Sequence, residues 1–174
     1  MNDKPTTSTR PLMTNSFRDR ESAERAYNAI AARGYASEDI HVLMSDETRK
    51  RHFDKDSPKT DMGNNALKGA GVGGAVGGAV GATLVGIMAA AATLSMPIIG
   101  LVIAGPLAGA LAGGAAGAAA GGVLGLLVGA GIPEGKAKIY ENEIKAGGIV
   151  LGVTPRHDED ARYFETEWQG TKVG

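Results

Sequence analysis

A long block of the chain carries no charged side chain, and this block constrains the fold more than any other feature. It extends from Gly69 to Pro133, and 19 of the 27 glycines lie within it. All of the Lys, Arg, Asp and Glu residues lie on either side of it. The chain is therefore polar, then apolar, then polar again, a division that its average composition hides.

Glycine recurs at every fourth position in two parts of this block. An early series consists of Gly69, Gly73, Gly77 and Gly81, and a later one of Gly105, Gly109, Gly113, Gly117, Gly121, Gly125 and Gly129. Each glycine costs a helix about 1 kcal/mol relative to alanine, so a regular series needs a reason. Glycines at this spacing line one strip of a helix, where the backbone of another helix can approach closely. The two series predict helix packing and homo-oligomerisation through these glycines.

The block as a whole predicts a helical hairpin over residues 66–132. Its arms are expected over about 66–95 and 106–132, bent at "SMPIIGLVIAGP", with residues 97–104 able to continue either arm. At 1.5 Å per residue each arm is roughly 40 Å long, which is enough to cross about 30 Å of hydrocarbon. Lys and Arg residues at both ends predict, by the positive-inside rule, that both termini lie in the cytoplasm. The alternatives are a structureless low-complexity segment and a soluble hairpin buried in an oligomer.

The polar segment before the block predicts a strand, a helix and a second strand. Residues 1–10 are expected to form a flexible leader, residues 11–45 the βαβ-type half, and residues 46–65 an exposed polar linker. The helix has an apolar stripe at the helical period, made of Ala23, Ala26, Tyr27, Ile30 and Ala31. Gly34 is expected to end it.

The polar segment after the block, residues 133–174, predicts a helix, a strand and a last helix. The first helix begins at Pro133 and ends at Gly147, and the last one is "DEDARYFETEWQ". Neither polar segment can bury a core alone, so the two are expected to pack together. The predicted fold class is α+β: a small ferredoxin-like or βαβ-type domain, split in sequence by the glycine-rich helical hairpin.

Two stretches carry a resemblance to a known family. The stretch "SFRDRESAERAYNAIAARGYASEDIHVL" resembles the N-terminal unit of bacterial general stress proteins with a heat-induced YflT-type domain. The stretch "GIPEGKAKIYENEIKAGGIVLGV" is similar to the closing segment of that group, with a glycine-rich insert between the two. The resemblance implies a stress-induced, membrane-associated bacterial protein, and it brings no catalytic residues.

Motifs that would carry chemistry are few. The chain has no cysteine, which excludes disulfides, thiolate catalysis and thiolate metal sites. "GAGVGG" at 69–74 matches a dinucleotide-binding pattern, but no strand is predicted directly before it. With a net charge of −1 and no basic stripe, nucleic acid is not an expected partner. We predict no enzyme activity, no cofactor and no small-molecule substrate, with membrane lipid and the chain itself as partners.

The histidines and aromatic residues favour structural roles. His41 is expected on an exposed strand face, His52 in the linker, and His157 in a turn. A metal site of His157 with Asp158 and Asp160 is weaker than the simpler interpretation, which is favourable acidic charge at a helix start. Trp168, Tyr163 and Phe164 are expected in the core or between subunits, in preference to a membrane interface.

The leading hypothesis is a non-enzymatic, stress-associated membrane protein that oligomerises through its glycine strips and has a structural or membrane-stabilising role. One alternative is an oligomeric pore or transport path. Only Thr83, Thr93 and Ser95 supply hydroxyl groups within the block that could line such a path. Another alternative is a soluble scaffold or shell with the hairpins packed in its core.

Overall fold

The computed structural model describes residues 10–53, 94–96, 100–108 and 116–169. The strands of these ranges are β1 (Met13–Phe17), β2 (Ile40–Ser45), β3 (Leu94–Met96), β4 (Leu101–Ala104) and β5 (Ile149–Val153). The helices are α1 (Arg20–Ala32), α2 (Asp46–Phe53), α3 (Ala116–Gly129), α4 (Glu134–Lys145) and α5 (Asp158–Gln169).

The strands form one antiparallel sheet in the order β1-β5-β2-β4-β3. β5, from the second polar segment, lies between β1 and β2 from the first, with Leu151 opposite both Asn15 and Val42. The two polar segments therefore share a single sheet, and the α+β class is confirmed. β1 and β3 are the edge strands of the described sheet.

Helices cover both faces of the sheet. On the first face, α1 and α5 pack on a cluster that includes Tyr27, Ile30, Ile40, Val42, Met44, Val102, Leu151, Phe164 and Trp168. On the second face, α3 and α4 pack on a cluster that includes Leu43, Leu101, Ile103, Val123, Leu126, Leu127, Tyr140, Ile144 and Val150. The alternation of side chains along each strand places neighbouring residues in different clusters.

The first helix forms where its sequence predicts it. The Asp19 side chain caps α1 by accepting a hydrogen bond from the Ser22 backbone N–H at 2.7 Å. All five residues of the predicted stripe are buried. Gly34 follows the helix with a φ of 83°, a conformation that glycine adopts without strain.

The predicted linker begins with a helix instead. Residues 46–53 form α2, while residues 54–65 lie outside the described ranges. The Ser45 hydroxyl accepts a hydrogen bond from the Thr48 backbone N–H at 3.0 Å, which is an N-cap. Asp46 pairs with Lys50 at 2.7 Å, one helical turn along. These local interactions stabilise a helix at the start of a segment that was predicted, from its many charged residues, to be an exposed linker.

The centre of the apolar block is also different from its prediction. Residues 94–96 and 101–104, expected at the end of an arm and in the bend of a helical hairpin, are strands β3 and β4. β4 pairs with β2, so that Ile103 lies opposite Leu43. The β-branched and aliphatic residues of β4 are fully buried between the two helical layers, an environment that a central strand fills better than a short helix.

Several glycines lie directly before or after a strand. Of these, Gly105 should cause the largest loss of folding stability when it is substituted. Its φ is 89°, and a Cβ there would lie 2.1 Å from the carbonyl oxygen of Ile40. Gly100 also has a positive φ, but a Cβ there would have no atom within 4 Å. Because a left-handed conformation costs a side chain roughly 1–2 kcal/mol, Gly100→Ala should lose about that much stability.

Gly105→Ala carries the same conformational cost plus the clash, so we expect a loss of about 3 kcal/mol or more in the free energy of unfolding. Urea denaturation of the two variants and the wild type measures both losses. Equal losses would contradict the close approach of Gly105 to β2.

Candidate interaction site

The structure describes five of the eleven glycines predicted to pack helices. Gly69, Gly73, Gly77, Gly81, Gly109 and Gly113 lie outside the described residues. Gly105 is not a helix-packing residue, because it ends β4 against the backbone of Ile40. The other four, Gly117, Gly121, Gly125 and Gly129, lie in α3.

Helix α3 has a buried apolar side and an exposed glycine side. Val123, Leu126 and Leu127 are buried against the sheet. Gly121 and Gly129 are exposed, and a Cβ added to either would have no atom within 4 Å. Within the described part of the chain, the glycine side of α3 therefore contacts no other element at these two positions.

The glycine side is not one continuous helical strip. Gly122 has a φ of 59° and a ψ of −148°, which interrupts the helix. Gly117 and Gly121 precede this interruption, and Gly125 and Gly129 follow it. The prediction of an unbroken arm over 106–132 is wrong at Gly122, because a residue without a Cβ can adopt this conformation and redirect the helix.

Helix α3 ends in a turn that fixes its position on the sheet. The Ile132 N–H donates to the Leu127 carbonyl at 3.1 Å, and the Gly131 N–H donates to the Val128 carbonyl at 2.9 Å. This is a Schellman motif, with Gly131 at a φ of 86°. Ile132 and Leu127 belong to the same buried cluster. The exposed side of α3 is thus set by a well-defined C-terminal turn.

His41 belongs to β2 and lies next to the residues that follow β4. Its prediction as an exposed residue is wrong. It is 8% exposed, beside Gly152 on the second face of the sheet. Its Nδ1 accepts a hydrogen bond from the Leu107 backbone N–H at 3.2 Å. Burial lowers the pKa of His41 to about 4, and the nearby Asp39 only partly opposes this. His41 is neutral near pH 7 and holds residues 105–108 against β2.

The acidic residues at the start of α5 join distant parts of the chain. Asp160 accepts hydrogen bonds from the Tyr35 hydroxyl at 2.7 Å and from Arg33 at 2.9 Å. Burial raises the pKa of Asp160, but these two hydrogen bonds outweigh it and leave the pKa below its usual value. Asp158 forms an ion pair with Arg10 at 2.9 Å. These carboxylates fasten α5 to the end of α1 and to the residues before β1.

The same acidic residues are not arranged as a metal site. In residues 10–53, 94–96, 100–108 and 116–169, no group of three or more His, Asp or Glu side chains could hold a metal ion. His157 lies in a bend directly before α5. The dinucleotide-like "GAGVGG" lies outside the described residues.

The aromatic residues of α5 pack in the core of the domain. Phe164 is fully buried, and Trp168 is 4% exposed. Their rings stack with centroids 5.9 Å apart, and Tyr35 meets Phe164 edge to face at 5.5 Å. The preference for core packing over a membrane interface is confirmed for these two residues, and Tyr163 packs beside them, partly buried.

A buried ion pair escaped the sequence analysis. Arg20 and Glu24 pair at 2.8 Å, with side chains 8% and 0% exposed. The Arg20 guanidinium also donates to the His52 carbonyl and stacks over Phe53, 4.9 Å from the ring centroid. This links α1 to the end of α2. The spacing of four is visible in the sequence, but its burial depends on α2, which the charge pattern had assigned to a linker.

None of the helices described here is both long enough and apolar enough to span a membrane. α3, the most apolar of them, has 14 residues and an interruption at Gly122.

Comparison of the chain with protein-family models, with curated proteins and with solved structures finds no match.

The pH dependence of stability should report on His41. The unfolded imidazole takes up a proton near pH 6.5, whereas the folded one does so only near pH 4. A lowered folded pKa gives stability that is complete above pH 6.5 and is lost as the pH falls toward 4. The loss approaches about 3 kcal/mol, at 1.36 kcal/mol per pH unit.

In His41→Gln an amide oxygen can still accept from Leu107, but the titration is removed. We expect the free energy of unfolding to fall less in this variant than in the wild type between about pH 7 and about pH 4.5. Urea denaturation at both pH values gives the difference. An identical decline in both proteins would show that His41 does not titrate as its burial indicates.

Proposed function

We propose that this chain is a non-enzymatic structural protein that self-associates through the glycine side of α3 and acts at the bacterial inner membrane under stress. One observation carries the self-association. Gly121 and Gly129 are exposed helical glycines at which neither a positive φ nor a neighbouring atom requires the absence of a side chain. Gly135 in α4 is exposed in the same way but lies outside the spacing-four series, so the observation that marks Gly121 and Gly129 is their exposure together with their place in that series.

A partner backbone gives these glycines a use. A glycine surface allows two helices to approach until backbone atoms are in contact, as in small-xxx-small packing. Val128, 43% exposed, adjoins Gly129 and offers an apolar side chain to the same contact. The six packing glycines outside the described residues have the same spacing and belong to the same proposed assembly.

The membrane part of the proposal is restricted by the sheet. β3 runs in the same direction as β2, so the chain between Phe53 and Leu94 leaves after the Ser45 end of β2 and returns to the same sheet at the start of β3. Its uncharged part, residues 69–93, would be roughly 37 Å long as a helix. Two crossings need about 40 apolar residues. This geometry favours embedding in the cytoplasmic surface of the membrane over a complete double crossing.

The finer description of the domain belongs to the same proposal. In this proposal the domain is a ferredoxin-like or βαβ-type unit divided in sequence by a glycine-rich hairpin. The two arms of the hairpin are joined through the β3–β4 pair. The stress association and the location, with both termini cytoplasmic, rest on the resemblance of residues 16–43 and 131–153 to general stress proteins and on the flanking charges.

A second candidate is a scaffold that assembles without lipid. The burial of Val123, Leu126 and Leu127 against the sheet favours it, because these residues of the apolar block already pack on protein. The same glycine side of α3 would join the subunits. The two candidates differ in whether lipid is bound, not in how the chains associate.

Leucine at the two exposed glycines should break the assembly. We expect Gly121→Leu/Gly129→Leu to shift the protein from oligomer to monomer in light scattering after size-exclusion chromatography, because two branched side chains prevent close backbone contact. Gly135→Leu is the matched control. Gly135 is also exposed, lies in α4 and has no atom within 4 Å of a Cβ, so this variant should stay oligomeric.

If the double variant and the control have the same oligomeric state, the glycine side of α3 is not the interface.

Flotation of the wild type with anionic vesicles separates the two candidate functions. Recovery with the vesicles supports the membrane protein, and recovery as a large lipid-free particle supports the scaffold.

A further inference from the structure

A groove borders the outer edge of strand β1. Within the described sheet β1 pairs only with β5, so its other edge faces no strand of that sheet. A cavity of about 470 Å³ lies along this edge. It is lined by residues 11–15, by the turn at 131–133 between α3 and α4, and by Lys136, Glu165 and Trp168. A sheet edge of this kind is where an extended segment can add as a further strand.

Helices on opposite faces of the sheet form the two walls of the groove. On the α5 side, the Asn15 side chain donates a hydrogen bond to the Trp168 carbonyl at 3.3 Å. On the α4 side, the Tyr140 hydroxyl donates to the Thr14 carbonyl at 2.7 Å. Because these contacts hold α5 and α4 beside β1, an added strand would lie between two walls and be held on both of its faces.

The two walls carry opposite charges. Glu165 lies one turn before Trp168 in α5, and Lys136 lies one turn before Tyr140 in α4. Within the ranges that the structure describes, neither Glu165 nor Lys136 forms an ion pair. The lysines of α4 that do so are Lys138 and Lys145, and the acidic residues of α5 that do so are Asp158, Glu159 and Asp160. Successive side chains of a strand point to opposite faces, so an acidic residue next to a basic one would meet both walls.

Trp168 adds a hydrogen-bond donor without an acceptor. Its indole Nε1 is buried and has no hydrogen-bond partner, and the residue is only 4% exposed. An indole nitrogen can only donate, and buried donors without an acceptor are rare in native structures. An extended peptide has a carbonyl group at every residue. It is therefore a class of ligand that can supply an acceptor beside Trp168.

We propose that this groove binds an extended segment of another protein, which adds to β1 as a strand and carries an acidic residue next to a basic one. The acidic side chain faces Lys136, and the basic side chain faces Glu165. At about 3.3 Å per residue, the stretch 11–15 is roughly 16 Å long, so the contact extends over about five residues of the partner. The proposal does not rest on self-association through α3, because neither Gly121 nor Gly129 lines the groove.

A second copy of the chain fits this groove less well than a strand with both charges. Two β1 edges that pair antiparallel about a two-fold axis keep the same face of both sheets on the same side. The Glu165 carboxylates of both copies would then approach on one face, and the Lys136 ammonium groups on the other. Like charges opposite each other destabilise such a pair of strands.

Tryptophan fluorescence tests the proposal. The chain has one tryptophan, so its emission reports on the groove alone. The probe is a synthetic peptide with blocked ends and the sequence valine-threonine-glutamate-lysine-threonine-valine. We expect a saturable change in emission with this probe. A matched peptide with the same side chains and a methyl group on every backbone nitrogen cannot donate to β1, so it should bind roughly tenfold more weakly or less.

Charge reversal gives a second readout. Lys136→Glu makes both walls acidic, so the dissociation constant of the probe should rise several-fold. The double variant Lys136→Glu/Glu165→Lys has walls of opposite charge again and should restore binding. Lys145→Glu, at the far end of α4, is the matched control and should leave the dissociation constant unchanged.

The absence of a saturable change with the probe would overturn the proposal. Equal affinity for the probe and its methylated form would also overturn it, because binding would then not use the backbone of β1. A tryptophan emission that changes when the protein alone is diluted would assign the groove to a second copy and overturn it as well. Saturable binding that is lost on methylation and weakened by Lys136→Glu supports it.

Discussion

The insertion of β5 between β1 and β2 is the constraint on which the rest of the structure depends. Each residue of β5 pairs with both neighbours, so strands separated by more than 100 positions share one set of hydrogen bonds. Without β5, β1 and β2 are not joined in one sheet, and α1, which connects them in the chain, has no continuous sheet to pack against. Everything between β2 and β5, including the whole apolar block, must therefore start and finish at this sheet.

This constraint explains why part of the apolar block contains no charge. β4 crosses the sheet with all four residues buried, and α3 covers the second face through Val123, Leu126 and Leu127. A charged side chain at any of these positions would lose its hydration without gaining a partner. Residues 101–104 and the buried side chains of Val123, Leu126, Leu127 and Ile132 are thus apolar because they lie inside a protein core. A lack of charge by itself did not distinguish this environment from lipid.

The sequence predicted the elements whose signals are local. The stripe of α1, its end at Gly34, the start of α4 at Pro133 and the strand at 149–153 all depend on neighbouring residues, and the structure has them in place. β3 and β4 could not be predicted in this way. Their stability comes from pairing with β2, far away in sequence, and the surrounding alanines and glycines favour a helical interpretation.

The same distinction applies to the candidate site. The spacing of the glycines was visible in the sequence, but their roles were not, because a role depends on φ and on what lies opposite the missing Cβ. The tertiary contacts of Asp160 and Arg20 were missed for a similar reason. Each residue lies in an ordinary charged stretch, and only the tertiary contacts with Tyr35 and His52 make it a structural link.

Among the described glycines of the apolar block, two physical groups carry the functional argument. Gly100, Gly105, Gly122 and Gly131 have positive φ values, so the fold itself requires them. Gly121 and Gly129 have neither this conformation nor a close neighbour, and each weakens α3 relative to alanine. Unlike Gly135, which is also exposed, they belong to the spacing-four series, and the folded chain supplies no reason for that regularity. Close contact with another backbone supplies that reason, whether the contact is made beside a membrane or within a lipid-free assembly.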